Sequence, residues 1–266
     1  LSTRIAGDIV ISIVTLTTDF GTRDGFTAQM KGIILGICPE VRIVDVTHDI
    51  EPYSILEGAL VLNGIRKYFP PTAVHIGVID PGVGSQRRGL AVRTGTGYYV
   101  GPDNGLFTFI LLESTDVEVR EICNPEFMLP DPHPTFHGRD IFAPAAAHLS
   151  AGKIFEDVGP LVENPIALTV PKPVRNASGI EGEAIYTDRF GNITTNVPGD
   201  LLDRTVREIR IAGTRIPKLS RYFAEVPRHE PVALVNSFGL LEIAVNGGNA
   251  STQLHIETGD KIQVLW

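Results

Sequence analysis

Asp80 and Arg87 stand in one run, Val78-Ile79-Asp80-Pro81-Gly82-Val83-Gly84-Ser85-Gln86-Arg87-Arg88. An apolar stretch runs into an acid, a glycine-rich turn follows, and two arginines close it. That order sets opposite charges at the carboxyl end of a buried strand, where open α/β sheets bind their ligands. A tight turn with a surface salt bridge is the plainer account of an isolated Asp-Pro-Gly. Three more polar clusters share the setting: Asp19 to Asp24, Asp45 to Asp49, and His137 to Asp140. Asp19 offers a carboxylate to the vicinal hydroxyls of a ribose, or a cap to the helix after it. Asp19, Asp45, His48 and Asp49 are candidate metal ligands, although their spacing fits no strong metal pattern. Gly82-Val83-Gly84 offers backbone N–H groups to an anion but lacks both GxxxxGK[ST] and a full GxGxxG. Asp188-Arg189-Phe190-Gly191-Asn192 supplies an acid, an aromatic face and an amide. That set suits a purine or an amino-acid headgroup, and equally a plain turn.

The elements that must position these groups are legible from periodicity. Val10 to Thr17 reads as a strand, Phe26 to Cys38 as a helix stopped by Pro39, and Val41 to Val46 as a strand. A helix follows from Ser54 to about Tyr68, with Glu57 completing a capping box, and Val74 to Ile79 is the third strand. The alternation predicts a mostly parallel sheet flanked by helices. A hairpin joins Leu90–Arg93 to Tyr98–Val100, then come a helix from Leu106 to Leu112, a strand from Val117 to Ile122 and a helix from Ile141 to Ala151. His75 falls inside a strand and reads as a packed core histidine. Near Val162 the texture changes. Pro165, Pro171 and Pro173 mark a linker, and short strands over 182–187, 193–196, 208–211, 232–236, 241–245 and 261–265 follow. The expected organisation is an α/β domain over 1–163, a linker over 164–176, and a small antiparallel β-barrel over 177–266.

Composition narrows the function. A net charge of -8 over 266 residues disfavours a sequence-independent nucleic-acid binder, which needs a basic surface. Two cysteines, Cys38 and Cys123, make neither a disulfide framework nor a zinc site. No apolar run reaches the roughly 18 residues of a membrane span. The stretch before Ile9 to Leu16 lacks a signal-peptide cleavage site, so a cytoplasmic protein without a membrane partner is expected. No nucleophile elbow, HExxH or kinase set is present.

Taken in order, Thr18-Asp19-Phe20-Gly21, Asp80-Pro81-Gly82-Val83-Gly84-Ser85 with Arg87, Pro102-Asp103-Asn104-Gly105, Phe136-His137-Gly138-Arg139-Asp140 and Asp188-Arg189-Phe190-Gly191-Asn192 resemble the S-adenosyl-L-methionine (SAM) hydroxide adenosyltransferases. These SAM hydrolases are relatives of the fluorinase and chlorinase. The resemblance covers nearly the whole chain. It implies an N-terminal α/β domain joined to a C-terminal β-barrel, a homotrimer with SAM at subunit interfaces, and attack of water or hydroxide on C5′ to give adenosine and L-methionine, with no cofactor. By residue match, Asp80, Arg87 and His137 handle the water and Asp19 holds the ribose. Phe20 lies in the same motif, and Tyr53 falls where the halogenases place an aromatic over the ligand. Asp188 and Asn192 bind the methionine end or the adenine side, Phe190 stacks, and Ser237 meets the methionine carboxylate. The fluorinase-like enzymes carry a tyrosine where Asp80 stands, a non-histidine where His137 stands, and a long insertion where Thr94 to Gly97 forms a short turn. Those differences favour water over halide. The arginine that follows the Asn-Ser pair in halogenases is Phe238 here, so the amino-acid end must be held differently.

The residues suit this chemistry. The leaving group is a neutral thioether and needs no acid. The difficulty is a poor nucleophile, which must be held in line. A nearby cation favours an ionised carboxylate, which can take a hydrogen bond or proton from water. Hydroxide meeting sulfonium annihilates charge, a step that a dry pocket favours. The competing readings are a metal-dependent hydrolase of a nucleotide-like substrate, a non-catalytic SAM or adenosine sensor, and a SAM-dependent chlorinase.

Overall fold

The structure is a computed structural model that describes residues 12–202 and 205–266. Val10, where the first predicted strand starts, lies outside the described residues. The chain divides into two compact units, the first ending at Leu168 and the second running Thr169–Trp266.

In the first unit, β1 (Ile13–Thr18), α1 (Phe26–Ile37), β2 (Arg42–Thr47), α2 (Ile55–Ile65) and β3 (Val74–Val78) alternate. The hairpin β4 (Gly89–Thr94) and β5 (Gly97–Pro102), α3 (Thr108–Glu113) and β6 (Val117–Glu121) follow. A π-helical turn, Gly138–Phe142, then runs into α4 (Ala143–Ser150). The sheet order is β2-β1-β3-β5-β4-β6. β2, β1, β3 and β5 are parallel, and β4 runs antiparallel to β5 and β6, so the sheet is mixed. β2 and β3 flank β1 on opposite sides. The crossover through α1 leaves β1 toward β2, whereas the chain after β3 runs the other way toward β4, so the loops after β1 and β3 part at the carboxyl edge. That is a topological switch point, the expected ligand crevice of such a sheet. Asp19 directly follows β1, and Asp80 follows β3 by one intervening residue.

β3 is buried along its whole length. One core holds Val14, Leu16, Met30, Ile34, Ile76 and the alanines of α4, whose small side chains let that helix press close to α1. A second core holds Leu62, Ile79, Leu90, Tyr99, Leu106 and Phe107. His75 is a core residue, as its place in the strand predicts. Its Nδ1 bonds Thr15 Oγ1 at 2.9 Å, its ring stacks on Tyr99, and burial lowers its pKa to about 4.

Two local expectations fail. Ser54 precedes α2 without a side-chain cap, and Glu57 accepts from Glu51 N–H at 3.2 Å rather than from Ser54 N–H, which donates to Glu51 O. The helix expected from Ile141 begins at Gly138, so His137 sits at the mouth of a wide helical turn.

Of the stretch expected as a linker, residues 164–168 are tied to the first unit: Arg88 Nη2 donates to Asn164 O, and Ile166 N–H to Asp103 Oδ1. In the second unit, β7 (Val174–Arg175), β8 (Gly179–Thr187), β9 (Ile193–Pro198), β10 (Glu208–Ile211), β11 (Thr214–Ile216), β12 (Leu219–Ser220), β13 (Pro231–Val235), β14 (Leu240–Val245), α5 (Ala250–Leu254) and β15 (Lys261–Leu265) follow. The strands form one mixed sheet in the order β11-β10-β15-β8-β9-β14-β13-β12, with β7 on β8. Only the β12–β13 pairing is parallel. β11, at one end of the order, lies beside β13, so the sheet curls nearly into a barrel around Ile180, Ile193, Ile209, Ile243 and Ile262. β7, β11, β12 and α5 are too short to carry a readable period. Among the described residues, no helix is long and apolar enough to cross a membrane.

Candidate active site

The carboxyl edge of the first sheet opens on a cavity of about 360 Å³. Asp19, Phe20, Phe26, Tyr53, Asp80 and His137 line it, with Pro52, Val78, Val83, Thr135, Phe136 and Gly138. Phe20, Phe26 and Phe136 meet edge to face at centroid distances of 5.3 to 5.8 Å, giving the cavity an aromatic wall.

Arg87 joins the acid to the histidine. Its Nε donates to Asp80 Oδ1 at 3.0 Å, and its Nη2 to Asp80 Oδ2 at 2.5 Å. Nη2 also lies 2.7 Å from His137 Nδ1. A guanidinium has no lone pair to offer, so His137 Nδ1 must accept. The imidazole is therefore neutral, with its proton on Nε2. Burial and then the charge of Arg87 push the His137 pKa below its ordinary value, which agrees with that tautomer. The side chains of Arg87 and Asp80 are only 9% and 4% exposed, so the surface salt bridge expected of an isolated Asp-Pro-Gly is wrong. A pair so buried persists only with good geometry and further partners. Arg87 has both, since its Nη1 also donates to Arg88 O and its guanidinium lies 5.2 Å from the Phe142 ring centroid.

The adjacent arginine turns away. Arg88 Nε donates to Asp103 Oδ2 at 2.7 Å, a structural bond between the two glycine-rich motifs. Asn104 Nδ2 donates to Ile79 O at 2.8 Å and braces the chain just before Asp80. Gly84 has φ +77°, and a Cβ there would lie 2.2 Å from Pro134 O. Only glycine allows the Asp80 turn to approach the proline-rich loop that delivers His137. Arg139 and Asp140 fix the other side: Arg139 Nε donates to Asp140 Oδ1 at 2.6 Å, and Asp140 Oδ2 accepts from His133 N–H at 2.9 Å.

Asp19 is held open to the cavity by the chain around it. Its Oδ2 accepts from Tyr53 N–H at 2.9 Å, where Tyr53 has φ 69°. Thr18 Oγ1 accepts from Phe20 N–H and pairs with His48 Nδ1 at 2.9 Å, while His48 Nε2 lies 3.0 Å from Asp45 Oδ1. Lys31 Nζ bonds the other oxygen of Asp45. His48 and Asp45 thus support the Asp19 turn and are not gathered as ligands. Among the described residues, no three His, Cys, Asp or Glu side chains cluster to hold a metal ion.

The remaining candidates lie in the second unit, around a pocket of about 820 Å³ lined by Asp188, Phe190, Asn192 and Ser237. Asp188 Oδ1 accepts from Phe190 and Asn192 N–H, each at 2.8 Å, and Oδ2 from Asn192 Nδ2 at 3.0 Å. Its carboxylate is therefore engaged within its own turn, which leaves the Phe190 ring 75% exposed. Arg221, Tyr222, Phe223 and Glu242 also line this pocket and were not singled out from the sequence. Glu242 carried a signal, a lone charge in the apolar run Leu240–Val245.

This division of groups matches a known family. Residues 14–159 match the SAM hydroxide adenosyltransferase N-terminal domain and residues 182–263 its C-terminal domain. The chain belongs to that family. It is 39% identical over 255 residues to the (R)-S-adenosyl-L-methionine hydrolase of Salinispora arenicola, covering 94% of this chain and 97% of that protein. The (R)-S-adenosyl-L-methionine hydrolase of Thermus thermophilus is 40% identical, with 93% and 97% covered. A fluorinase of Actinopolyspora mzabensis is 30% identical, with 95% and 96% covered. The crystal structure of an uncharacterized conserved protein from Thermotoga maritima superposes with a TM-score of 0.89 at 37% identity, covering 96% of this chain and all of that one.

Proposed function

We propose that this protein hydrolyses S-adenosyl-L-methionine to adenosine and L-methionine by in-line attack of water on C5′. The observation that carries the reading is Arg87 bonded to both Asp80 and His137 at the wall of an aromatic cavity. The water sits between the Asp80 carboxylate, which accepts its hydrogen bond, and His137 Nε2–H, which donates. Arg87 pairs with the acid and holds the imidazole in the tautomer that donates. As the water attacks, the C5′–O bond forms while the C5′–S bond breaks. The sulfonium leaves with its electron pair as a neutral thioether, and the water's proton passes to Asp80 and then to solvent. Phe20, Phe26 and Phe136 exclude competing water, which strengthens these interactions. Asp19 holds the ribose hydroxyls and Tyr53 covers the sugar.

In this reading the pocket of the second unit, a small β-barrel, supplies the rest of the site. Phe190 stacks on adenine, Asn192 reads its edge, Asp188 shapes the turn that presents both, and Ser237 meets the methionine end. A homotrimer joins the two pockets across neighbouring subunits. The curated relatives are named for the (R) form, so we assign the same sulfonium configuration to the substrate here. We place the reaction in the cytoplasm, where thiols such as Cys38 and Cys123 stay reduced.

The test is incubation with each sulfonium epimer of SAM, with and without chloride and after chelation, followed by chromatography. Adenosine and methionine in equal amounts, faster from the (R) epimer and insensitive to chloride and chelator, are expected. Stoichiometric binding without methionine release would make the protein a sensor. A chloride-dependent product would make it a halogenase, and loss of activity on chelation would restore a metal mechanism.

A further inference from the structure

The pocket of the second unit contains a charged group with unfinished bonding. Glu242 projects from β14 and is only 7% exposed. Its Oε2 accepts from Asn236 Nδ2 at 3.1 Å, and Oε1 has no hydrogen-bond partner among the described residues. Burial raises its pKa, and the nearby carboxylate of Asp188 raises it further, so this acid lies among groups that do not compensate its charge. Buried carboxylates are stable when paired, and a single amide is a weak partner. Asn236 is itself fixed: its Nδ2 also donates to Thr194 Oγ1, and its Oδ1 accepts from Phe238 and Leu240 N–H. It cannot turn to complete the shell of Glu242.

Arg221 lines the same pocket and makes no ion pair with another described residue. An unpaired cation and an under-bonded buried anion therefore face one cavity of about 820 Å³. Had the pocket been built for an apolar group or a base alone, neither charge would be needed. An α-amino acid headgroup carries both complementary charges on one carbon. We infer that Glu242 receives the α-ammonium and Arg221 the α-carboxylate of the substrate's methionine arm. This assignment rests on the SAM-hydrolase reading. It accounts for the amino-acid end being held with Phe238 where the halogenases carry an arginine. Asp188, with its oxygens engaged in its own turn, is then a neighbour that tunes the site electrostatically.

The test compares SAM with a 5′-dimethylsulfonium analogue of adenosine, which has the same reacting centre and no amino-acid arm. In Glu242→Gln and in Arg221→Met, the ratio of kcat/KM for SAM to kcat/KM for the analogue should fall on the order of tenfold to a hundredfold, the worth of a charge-assisted hydrogen bond. The loss should lie in KM. Methionine binding to the wild-type protein, measured by calorimetry, should weaken strongly when either the amine or the carboxylate is removed. If both substrates lose activity equally in these variants, the two residues are structural and the inference fails. It also fails if the ratio is unchanged. A wild-type protein that releases methionine from neither epimer overturns the parent reading instead, and calorimetry with methionine still decides the headgroup site.

Discussion

The two pockets are built on opposite plans. In the first unit the two carboxylates and the histidine at the cavity are held before a ligand arrives: Asp80 and His137 by Arg87, Asp19 by Tyr53 N–H. In the second unit the aromatic ring is exposed, and among the described residues Glu242 keeps one oxygen unbonded and Arg221 has no ion pair. A preorganised set of charges stabilises a transition state because it needs no rearrangement during reaction. A pocket with incomplete bonding gains most when a ligand completes it. The first arrangement should therefore govern kcat and the second KM.

Removing the carboxylate proposed to hold the water is the sharpest way to break that contrast. Asp80→Asn keeps the shape and removes the acceptor charge. We expect kcat to fall on the order of 10²- to 10⁴-fold, with SAM binding by calorimetry changed by less than about threefold. His137→Ala should act in the same sense. If Asp80→Asn turns over SAM at the wild-type rate, the carboxylate is not part of the water site.

The next largest effect concerns the backbone that brings acid and histidine together. Gly84→Ala places a Cβ against Pro134 O at a backbone angle that side chains rarely adopt. A destabilisation of about 2 to 4 kcal/mol is expected, seen as a lower melting temperature. Because the displaced loop carries His137, kcat should fall as well. An unchanged melting temperature would show that the loop shifts freely and that the first pocket is not rigid.

How far these features were legible depends on whether their cause was local. The β-α-β-α-β order and the strand-end position of Asp19 and Asp80 followed from periodicity, because one apolar stripe defines each element. His75 could be read as core for the same reason. Four facts could not be read in this way. Arg87 and Arg88 are adjacent and identical, and only tertiary contacts send one to His137 and the other to Asp103. Ser54 and Glu57 had the spacing of a capping box, but Glu51 N–H competed for the carboxylate. The π-helical turn behind His137 has no sequence period that announces it. Glu242 was visible as a charge in an apolar strand, yet its meaning depends on which residues β9 and β13 place beside it.

A smaller effect is expected in the second pocket. Phe190→Ala removes an exposed ring that has no structural task in the free protein. KM for SAM should rise about tenfold, the worth of stacking one base on an aromatic side chain, and kcat should change little. The same variant also tests the proposal that subunits share a site. Mixed with Asp80→Asn subunits, it should recover kcat/KM in hetero-oligomers, because some sites would then combine two intact halves. Failure to gain activity on mixing would confine each site to one subunit.

The smallest effect, and the one that separates the pockets within a single titration, is the response to acid. His137 works as a neutral ring whose Nδ1 accepts from Arg87, and its pKa lies below the usual histidine value. Raising the pH above neutrality therefore leaves it unchanged. Lowering the pH protonates Nδ1, sets two donors against each other at Nη2 and breaks the bond that aligns the imidazole, so kcat declines only below the usual histidine range. Glu242 titrates above the usual glutamate value. As the pH falls it gains a proton and loses its attraction for an ammonium, so KM rises. Glu242→Gln should abolish the acid limb of KM and leave that of kcat, and a His137 variant with residual activity should do the reverse. A single limb shared by both parameters and removed by either substitution would mean that the two pockets titrate as one unit.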